Sequence, residues 1–507
     1  LKKKALLLMI ITLLSKTLGF VREIILSYFY GASNVSDAYF ISLTIPVVIF
    51  SFIGVGITTG YIPMYSKIEI EEGTHESYRF TSNLISILII ISTLVILVVQ
   101  LFTESIVRIF ASGFEGDTLL LATNFTRITV FGIYFTGIIT ILNGFLQIKD
   151  KFVIPAILGF IYNICIIASI YFSYKTDMII LSIGSVIALL VQFIFLLYFV
   201  LKEKMTLRFI ASFKNKHIKS LGKIALPLIF GISISQINVL VDKTLASRIA
   251  IGGISALNYA DRLNSFILST VVMSISVAIY PMMSKTVADK KNDDFKKIIS
   301  ESIITISILL VPSTVGAIFF AVPLVRLLFA RGAFDSKAIT LTSSALLFYS
   351  LGMLGIGLRE VLSRAFYSMQ ETKTPVKNAA VGMILNIILN IILSRYIGIG
   401  GLALATSISA TFTTVMLFIS LRKKIGPFGM KQISISFLKI LLASSLMGLF
   451  AKLSFNYLTT NFSQNISILI AIGVGVVSYF VIIYFMKIED VDVIVGAIKK
   501  KFGRGTA

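Results

Sequence analysis

The sequence predicts an all-α polytopic membrane protein of about fourteen transmembrane helices, built as two six-helix lobes and a C-terminal helix pair. Three observations predict it. Of 507 residues, 56% are hydrophobic and 14% charged, at a mean hydropathy of +0.94, whereas soluble domains carry about 25% charged residues. The apolar residues fall in long runs, each near the roughly 20 residues a helix needs to cross a hydrocarbon core about 30 Å thick. The two halves also repeat at an offset of about 220 residues. Ile62-Pro63-Met64-Tyr65-Ser66-Lys67 aligns with Tyr280-Pro281-Met282-Met283-Ser284-Lys285, and Gln147, Gly159, Asn163 and Ile164 align with Gln370, Gly382, Asn386 and Ile387.

Taken in order, the apolar runs place spans at about 5–30, 36–64, 80–105, 119–147, 152–174 and 178–201, which form a first lobe over residues 1–201. Lys2, Lys3 and Lys4 precede the first run with no small-residue cleavage site after it, so a retained span is expected there. A basic linker occupies 202–219. The second lobe, 220–421, has runs at about 220–249, 254–284, 298–323, 338–370, 376–394 and 399–421. Runs at about 433–457 and 465–486 give the terminal pair, which with a basic tail fills 422–507. The offset spans six helices, so the copies share one orientation about an axis along the membrane normal, and such bundles bind substrate between their halves and alternate access by rocking. The nine prolines and 34 glycines are scattered, which argues against disorder, collagen or a barrel.

The net charge of +22 raises nucleic acid as a partner, but the positions of the cations argue against it. About 29 Lys and Arg fall on the side of the termini and about 6 on the other, so both termini are expected in the cytoplasm. About 11 remain inside spans, where each costs about 2.5 kcal/mol or more. Lys223, Arg248 and Arg364 lie near span ends and can snorkel, whereas Lys16, Arg22 and Arg262 sit deeper. Intramembrane acids are fewer, chiefly Glu23, Asp37, Asp242, Asp261 and Glu360. A water-filled cationic interior follows, suited to phosphate-bearing anions. Structural pairing, as of Arg22 with Glu23, stays open as the other reading.

Enzymatic readings find little support. Cys165 sits in an apolar run, His75 and His217 lie in connections, and no His or Cys cluster offers metal or nucleophile geometry. Glu69, Glu71, Glu72 and Glu76 read as a solvated loop face. With no Walker A sequence, transport energy is expected from ion gradients, membrane potential or consumption of product.

The same segments carry a family resemblance. Ser15-Lys16-Thr17-Leu18-Gly19-Phe20-Val21-Arg22-Glu23, Gly31-Ala32 and Ser36-Asp37-Ala38-Tyr39-Phe40 open the chain. Tyr259-Ala260-Asp261-Arg262-Leu263, Arg331-Gly332-Ala333-Phe334 and the run from Ala365 to Pro375 follow. Together they resemble the MurJ (MviN) lipid II flippases, within the multidrug/oligosaccharidyl-lipid/polysaccharide exporter superfamily. The resemblance implies movement of lipid II, an undecaprenyl-diphosphate-linked disaccharide-pentapeptide, from the inner to the outer leaflet of the bacterial cytoplasmic membrane. Lys16, Arg22, Glu23, Asp37, Asp261 and Arg262 are the implied substrate-binding residues. Where many members have an Arg-Arg pair, this chain has Phe50-Ser51-Phe52, so export of another polyprenyl-diphosphate-linked glycan, or drug/cation antiport, stands as the alternative.

The resemblance also implies a sodium ion held by Asp242, Asn386, Asn390, Thr406 and the carbonyl of Leu402, against which stands interhelical hydrogen bonding by the same residues. No other cofactor is expected. The implied partners are lipid II, membrane lipids and cell-wall synthesis or division proteins. An undecaprenyl tail loses about 0.8 kcal/mol per CH₂ held in water, so the terminal pair, with Ser444, Ser445, Gly448, Ile472, Gly473 and Gly475, is expected to line an apolar groove for it.

Overall fold

The computed structural model describes residues 2–486 and is helical throughout; the basic tail with Lys499, Lys500, Lys501 and Arg504 lies outside the described residues. In chain order the helices are α1 (Lys2–Tyr30), α2 (Asn34–Glu72), α3 (Thr74–Leu101), α4 (Thr103–Phe110), α5 (Gly116–Thr129), α6 (Gly132–Ile148), α7 (Val153–Lys175), α8 (Ile179–Lys202), α9 (Lys216–Ile249) and α10 (Gly253–Ala288). They continue as α11 (Asn292–Phe329), α12 (Ser336–Leu351), α13 (Met353–Ser368), α14 (Lys373–Ile397), α15 (Ile399–Ile425), α16 (Met430–Leu458) and α17 (Gln464–Phe485). Among the described residues nine helices are long and apolar enough to cross a membrane, or twelve if three bent pairs each count as one span. Each of the fourteen expected spans coincides with a helix or a bent pair.

The bends have local causes. Between α12 and α13 the axis turns by 43°. There the hydroxyl of Ser407, on α15, donates to the carbonyls of Phe348 at 2.6 Å and Tyr349 at 3.3 Å, taking acceptors that a continuous helix would use. Gly352 makes room for it, since a Cβ there would lie 2.6 Å from Ser407 Oγ. The equivalent span of the first half breaks at the matching place, 41° between α5 and α6, where Thr129 donates to the carbonyl of Ser42 at 2.7 Å. A 48° bend within α9 follows Pro227, which removes a ladder donor. In α11 the non-helical residue Phe320 lies three before Pro323.

The chain packs as two compact units, and their boundary differs from the one expected at residue 220. Of the described residues, the first contains those up to 256 together with 331–338, and the second contains 257–330 and 339–486. Thus α9 joins the first unit. Small residues on α2 explain why: a Cβ on Gly56 would lie 2.5 Å from Ala225 Cβ, and one on Gly60 2.4 Å from Leu221 Cδ1. Farther along, Thr244 of α9 donates to the carbonyl of Ile109 at 2.9 Å, and Ser247 Oγ accepts from Gly113 N–H at 3.0 Å.

In the first unit Tyr61, Tyr65, Phe80 and Phe145 form the aromatic centre of a core across α2, α3 and α6. The expected basic linker is ordered in part as an extended strap on α3. Asn83 accepts from Ser212 N–H at 2.7 Å and donates to its carbonyl at 3.0 Å, and Ser86 Oγ accepts from Ile210 N–H at 3.0 Å. The strap leaves Phe209 and Phe213 exposed. In the second unit Phe295, Ile303, Leu310, Leu362 and Phe428 are buried in a core that also takes in α16 and α17. Leu438, Leu453 and Val477 on the terminal pair are exposed, as lipid-facing side chains must be.

The motifs around Gly31 and Arg331 meet in the first unit. Ala333 N–H donates to the carbonyl of Tyr28 at 2.8 Å. Gly31 and Gly332 adopt φ of +61° and +63°, and a Cβ on Gly332 would lie 2.2 Å from that same carbonyl oxygen. Gly332→Ala is therefore expected to lower stability by about 2 kcal/mol or more, from left-handed strain plus the clash, read as a fall in melting temperature in detergent. An unchanged melting temperature would show that this approach is not maintained.

Candidate functional site

Ser15, Gly19 and Arg22 fall at the i, i+4, i+7 spacing of one helix face, and on α1 that face meets α7. A Cβ on Gly159 would lie 2.0 Å from Ser15 Oγ, and one on Gly19 3.5 Å from Asn163 Nδ2. This close approach places Asn163 beside Arg22. The guanidinium donates to Glu23 Oε1 at 2.6 Å and to Asn163 Oδ1 at 3.1 Å, and sits 5.6 Å from the Tyr162 ring centroid. Asn163 in turn donates to the carbonyl of Ser15 at 3.3 Å. Arg22 keeps 18% side-chain exposure and Glu23 only 2%.

Of the two sequence readings of Arg22, ligand or pairing, the geometry supplies the pairing and leaves room for the ligand. A guanidinium has five N–H donors, and the two hydrogen bonds described above leave donors for an anionic oxygen. Asn163 entered the sequence reading only as a repeat match to Asn386, yet it orients the arginine. Lys16 is exposed. Six residues from Arg22, it lies about 9 Å along the helix and about a third of a turn around it, so the two present different faces of α1.

Asp37 is built into the fold rather than into an open wall. It is 1% exposed, and its carboxylate accepts from Gly252 N–H at 2.8 Å, Ser255 N–H at 2.7 Å and the Ser255 hydroxyl at 2.6 Å. These donors belong to the start of α10 and are counted with the first unit. A carboxylate here satisfies amides that a helix N-terminus leaves open and meets the positive end of its dipole. In this structure Asp37 ties the start of α2 to the start of α10. Gly252, at φ +83°, approaches Ala32 so closely that a Cβ would lie 2.2 Å from its carbonyl oxygen.

In the second unit Asp261 accepts from the Ser265 hydroxyl at 3.4 Å, and Arg262 is exposed. Tyr259, fully buried, fixes this stretch of α10 against Phe329 with ring centroids 5.3 Å apart. Farther on, Arg364 pairs with Glu360 at 2.8 Å and lies 5.5 Å from the Tyr280 ring centroid.

Four of the five residues implied for a cation lie together on α14 and α15. Asn390 donates to Asn386 Oδ1 at 2.9 Å, Asn386 donates to Thr406 Oγ1 at 3.4 Å and to Ser409 Oγ at 3.3 Å, and Thr406 donates to the carbonyl of Leu402 at 3.1 Å. Asn386, Asn390 and Leu402 are buried. The donor set is oxygen-rich, as a hard cation needs; Asn386 bridges α14 to α15, while the Asn390–Asn386 and Thr406–Leu402 contacts each stay within one helix. Asp242, the one carboxylate of the set, lies on α9 in the first unit.

A cavity of about 340 Å³ opens in the second unit among α10, α11, α16 and α17, with Ile267, Pro312, Phe320, Met447, Gly475 and Tyr479 in its wall. Ile472 and Gly475 were expected there. Gly448 instead serves helix packing, since a Cβ would lie 2.8 Å from Val315, and Gly473 meets open space.

A protein of Thermosipho africanus, "Lipid II flippase MurJ", is 31% identical over 473 residues, 93% of this chain and 94% of that one. The "Probable lipid II flippase MurJ" of Vibrio cholerae is 28% identical over 509 residues, 97% of each chain. A solved structure described as "Lipid II flippase MurJ, inward closed conformation" matches with a TM-score of 0.83 at 30% identity, covering 95% of this chain and 98% of that one. An inward-facing multidrug resistance MATE family transporter matches at 13% identity with a TM-score of 0.69, which shows a shared fold. The family model "Lipid II flippase MurJ" matches residues 26–473, and the chain belongs to that family.

Proposed function

We propose that the chain carries lipid II from the inner to the outer leaflet of the bacterial cytoplasmic membrane by alternating access. The observation that carries this reading is Arg22, held in place by Glu23 and Asn163 with donors to spare, in a chain matched over 26–473 by the flippase family. An arginine at that depth is expensive unless it is paired or serves a ligand, and its fork suits a diphosphate. Both termini face the cytoplasm in this reading. Depleting the protein in a growing bacterium should leave lipid II accumulating in the inner leaflet; normal outer-leaflet labelling in depleted cells would contradict the reading.

The isoprenoid tail belongs in the apolar cavity beside α16 and α17, which holds part of its length while the remainder stays in lipid. A photo-crosslinker at Ile472, on the cavity wall, should capture the lipid chain, and one at Leu453, exposed at 56%, should give only bulk phospholipid. Equal capture from both positions would remove the groove from the account.

A sodium ion at Asn386, Asn390, Thr406 and the Leu402 carbonyl forms part of the same reading, as a structural or coupling ion. Replacing sodium by choline should slow transport in reconstituted vesicles, and Asn390→Ala should abolish that difference. Transport indifferent to sodium would leave these residues as helix-packing groups.

A further inference from the structure

The connection between α15 and α16 folds over the first turns of α11. Phe428, 1% exposed, anchors it, and Gly426 and Gly429 turn the chain at φ +80° and +64°. Beneath the turn is a cleft of about 220 Å³ lined by Lys296, Lys297, Ser300 and Glu301 from α11 and by Pro427, Phe428, Gly429 and Gln432. Lys296 and Lys297 stand one turn from Ser300, so all three share a helix face. The Lys296 Nζ would lie 3.7 Å from a Cβ on Gly426.

Two independent features point to an anion. The N-terminus of α16 opens on this cleft with no side-chain cap and no acidic residue in its first turn, although such ends favour Asp or Glu. Ser300 is 6% exposed, and its Oγ makes no hydrogen bond to any described residue. A buried hydroxyl left unpaired costs free energy, so a donor kept here is explained by a ligand that takes it. Gly429 leaves the space open, since a Cβ there would lie 2.8 Å from Ser300 Oγ. The one acid in the wall, Glu301, is 47% exposed and faces Lys297 at 3.9 Å, and among the described residues no acid pairs with Lys296.

We propose that this cleft binds a phosphoryl group, with the Ser300 hydroxyl and the first-turn amides of α16 as donors and Lys296 and Lys297 as counter-charges. Two sources present that chemistry: the phosphodiester of an anionic membrane lipid and free phosphate. The site lies wholly within the second unit and does not depend on the flippase reading.

The chain contains no tryptophan, so Gln432→Trp places a single reporter at the rim of the cleft. The full chain in phosphatidylcholine nanodiscs is titrated with inorganic phosphate at constant ionic strength, chloride being the control, and separately with increasing phosphatidylglycerol in the disc. The expected result is a saturating change in emission, with its midpoint raised about tenfold by Ser300→Ala or Lys296→Gln, as loss of a hydrogen bond or counter-charge to an ionised ligand implies. Saturation with phosphatidylglycerol alone assigns the site to a lipid headgroup; saturation with phosphate as well assigns it to the phosphoryl group from either source. Ser300→Ala should not lower the melting temperature in neutral discs, because the hydroxyl has no partner to lose. The same substitutions are read in the chain without the tryptophan, as phosphate- or phosphatidylglycerol-dependent shifts of melting temperature. No saturation with either probe, or midpoints and thermal shifts indifferent to both substitutions, overturns the proposal.

Discussion

Arg22→Ala is expected to abolish lipid II transport and to destabilise the protein as well. On the ligand reading of the sequence, removing this cation would leave folding intact. The 2.6 Å pair with Glu23 changes that expectation. Removing the guanidinium takes the 2.6 Å ion-pair partner from a carboxylate that is 2% exposed, and breaking a buried pair from one side costs about 3–5 kcal/mol. The two effects separate in a double variant. Arg22→Ala with Glu23→Gln should recover most of the melting temperature, since no buried charge is left over, and should still fail to transport. Arg22→Lys should retain a few per cent of activity, because an ammonium makes the ion pair but lacks the fork that holds Glu23 and Asn163 together with a third oxygen. A double variant that regains both stability and transport would reduce Arg22 to a packing residue.

Asp37→Asn is expected to lower transport at least tenfold without any loss of substrate contact. The carboxylate accepts three hydrogen bonds from Gly252 and Ser255, and bonds to a charged acceptor contribute about 1.5–3 kcal/mol each. An asparagine offers one oxygen and must turn its amide donors toward backbone N–H groups. Hydrogen exchange at Gly252 and Ser255 should therefore quicken in the variant while exchange in the middle of α2 stays slow. Ser255→Ala, which removes only the 2.6 Å hydroxyl bond, should have a smaller effect in the same direction. If exchange at the start of α10 is unaltered by Asp37→Asn, the tie does not hold that helix.

The spans were legible because hydropathy and length are properties of a contiguous segment, and the helices fall where the apolar runs do. Their breaks were less so. Pro227 in α9 announces its bend, but the break at Gly352 depends on a hydroxyl 55 positions away, Ser407, donating into α12. The first unit's claim on α9 was hidden for a similar reason: only the packed helix shows that Gly56 and Gly60 of α2 admit Ala225 and Leu221. Among site residues, Asn386, Asn390 and Thr406 were named through the family resemblance, and the one-turn spacing of the two asparagines puts them on one helix face. Asp37 was singled out from the sequence, but its bonds to the start of α10 were not legible there, because those partners lie 215 and 218 residues away. Asn163 carried a signal as the repeat counterpart of Asn386. In one unit that position holds an arginine, and in the other it holds a threonine and a second asparagine.

The central claim, that this chain moves lipid II through a path that uses Arg22, is tested most directly with purified protein in liposomes. Fluorescent lipid II is placed in the inner leaflet, and its arrival outside is followed with an impermeant quencher. The account predicts time-dependent quenching with the native chain, and none above protein-free vesicles with Arg22→Ala/Glu23→Gln at equal incorporation. Native protein that leaves lipid II in the inner leaflet, or a double variant that moves it at the native rate, would contradict the account.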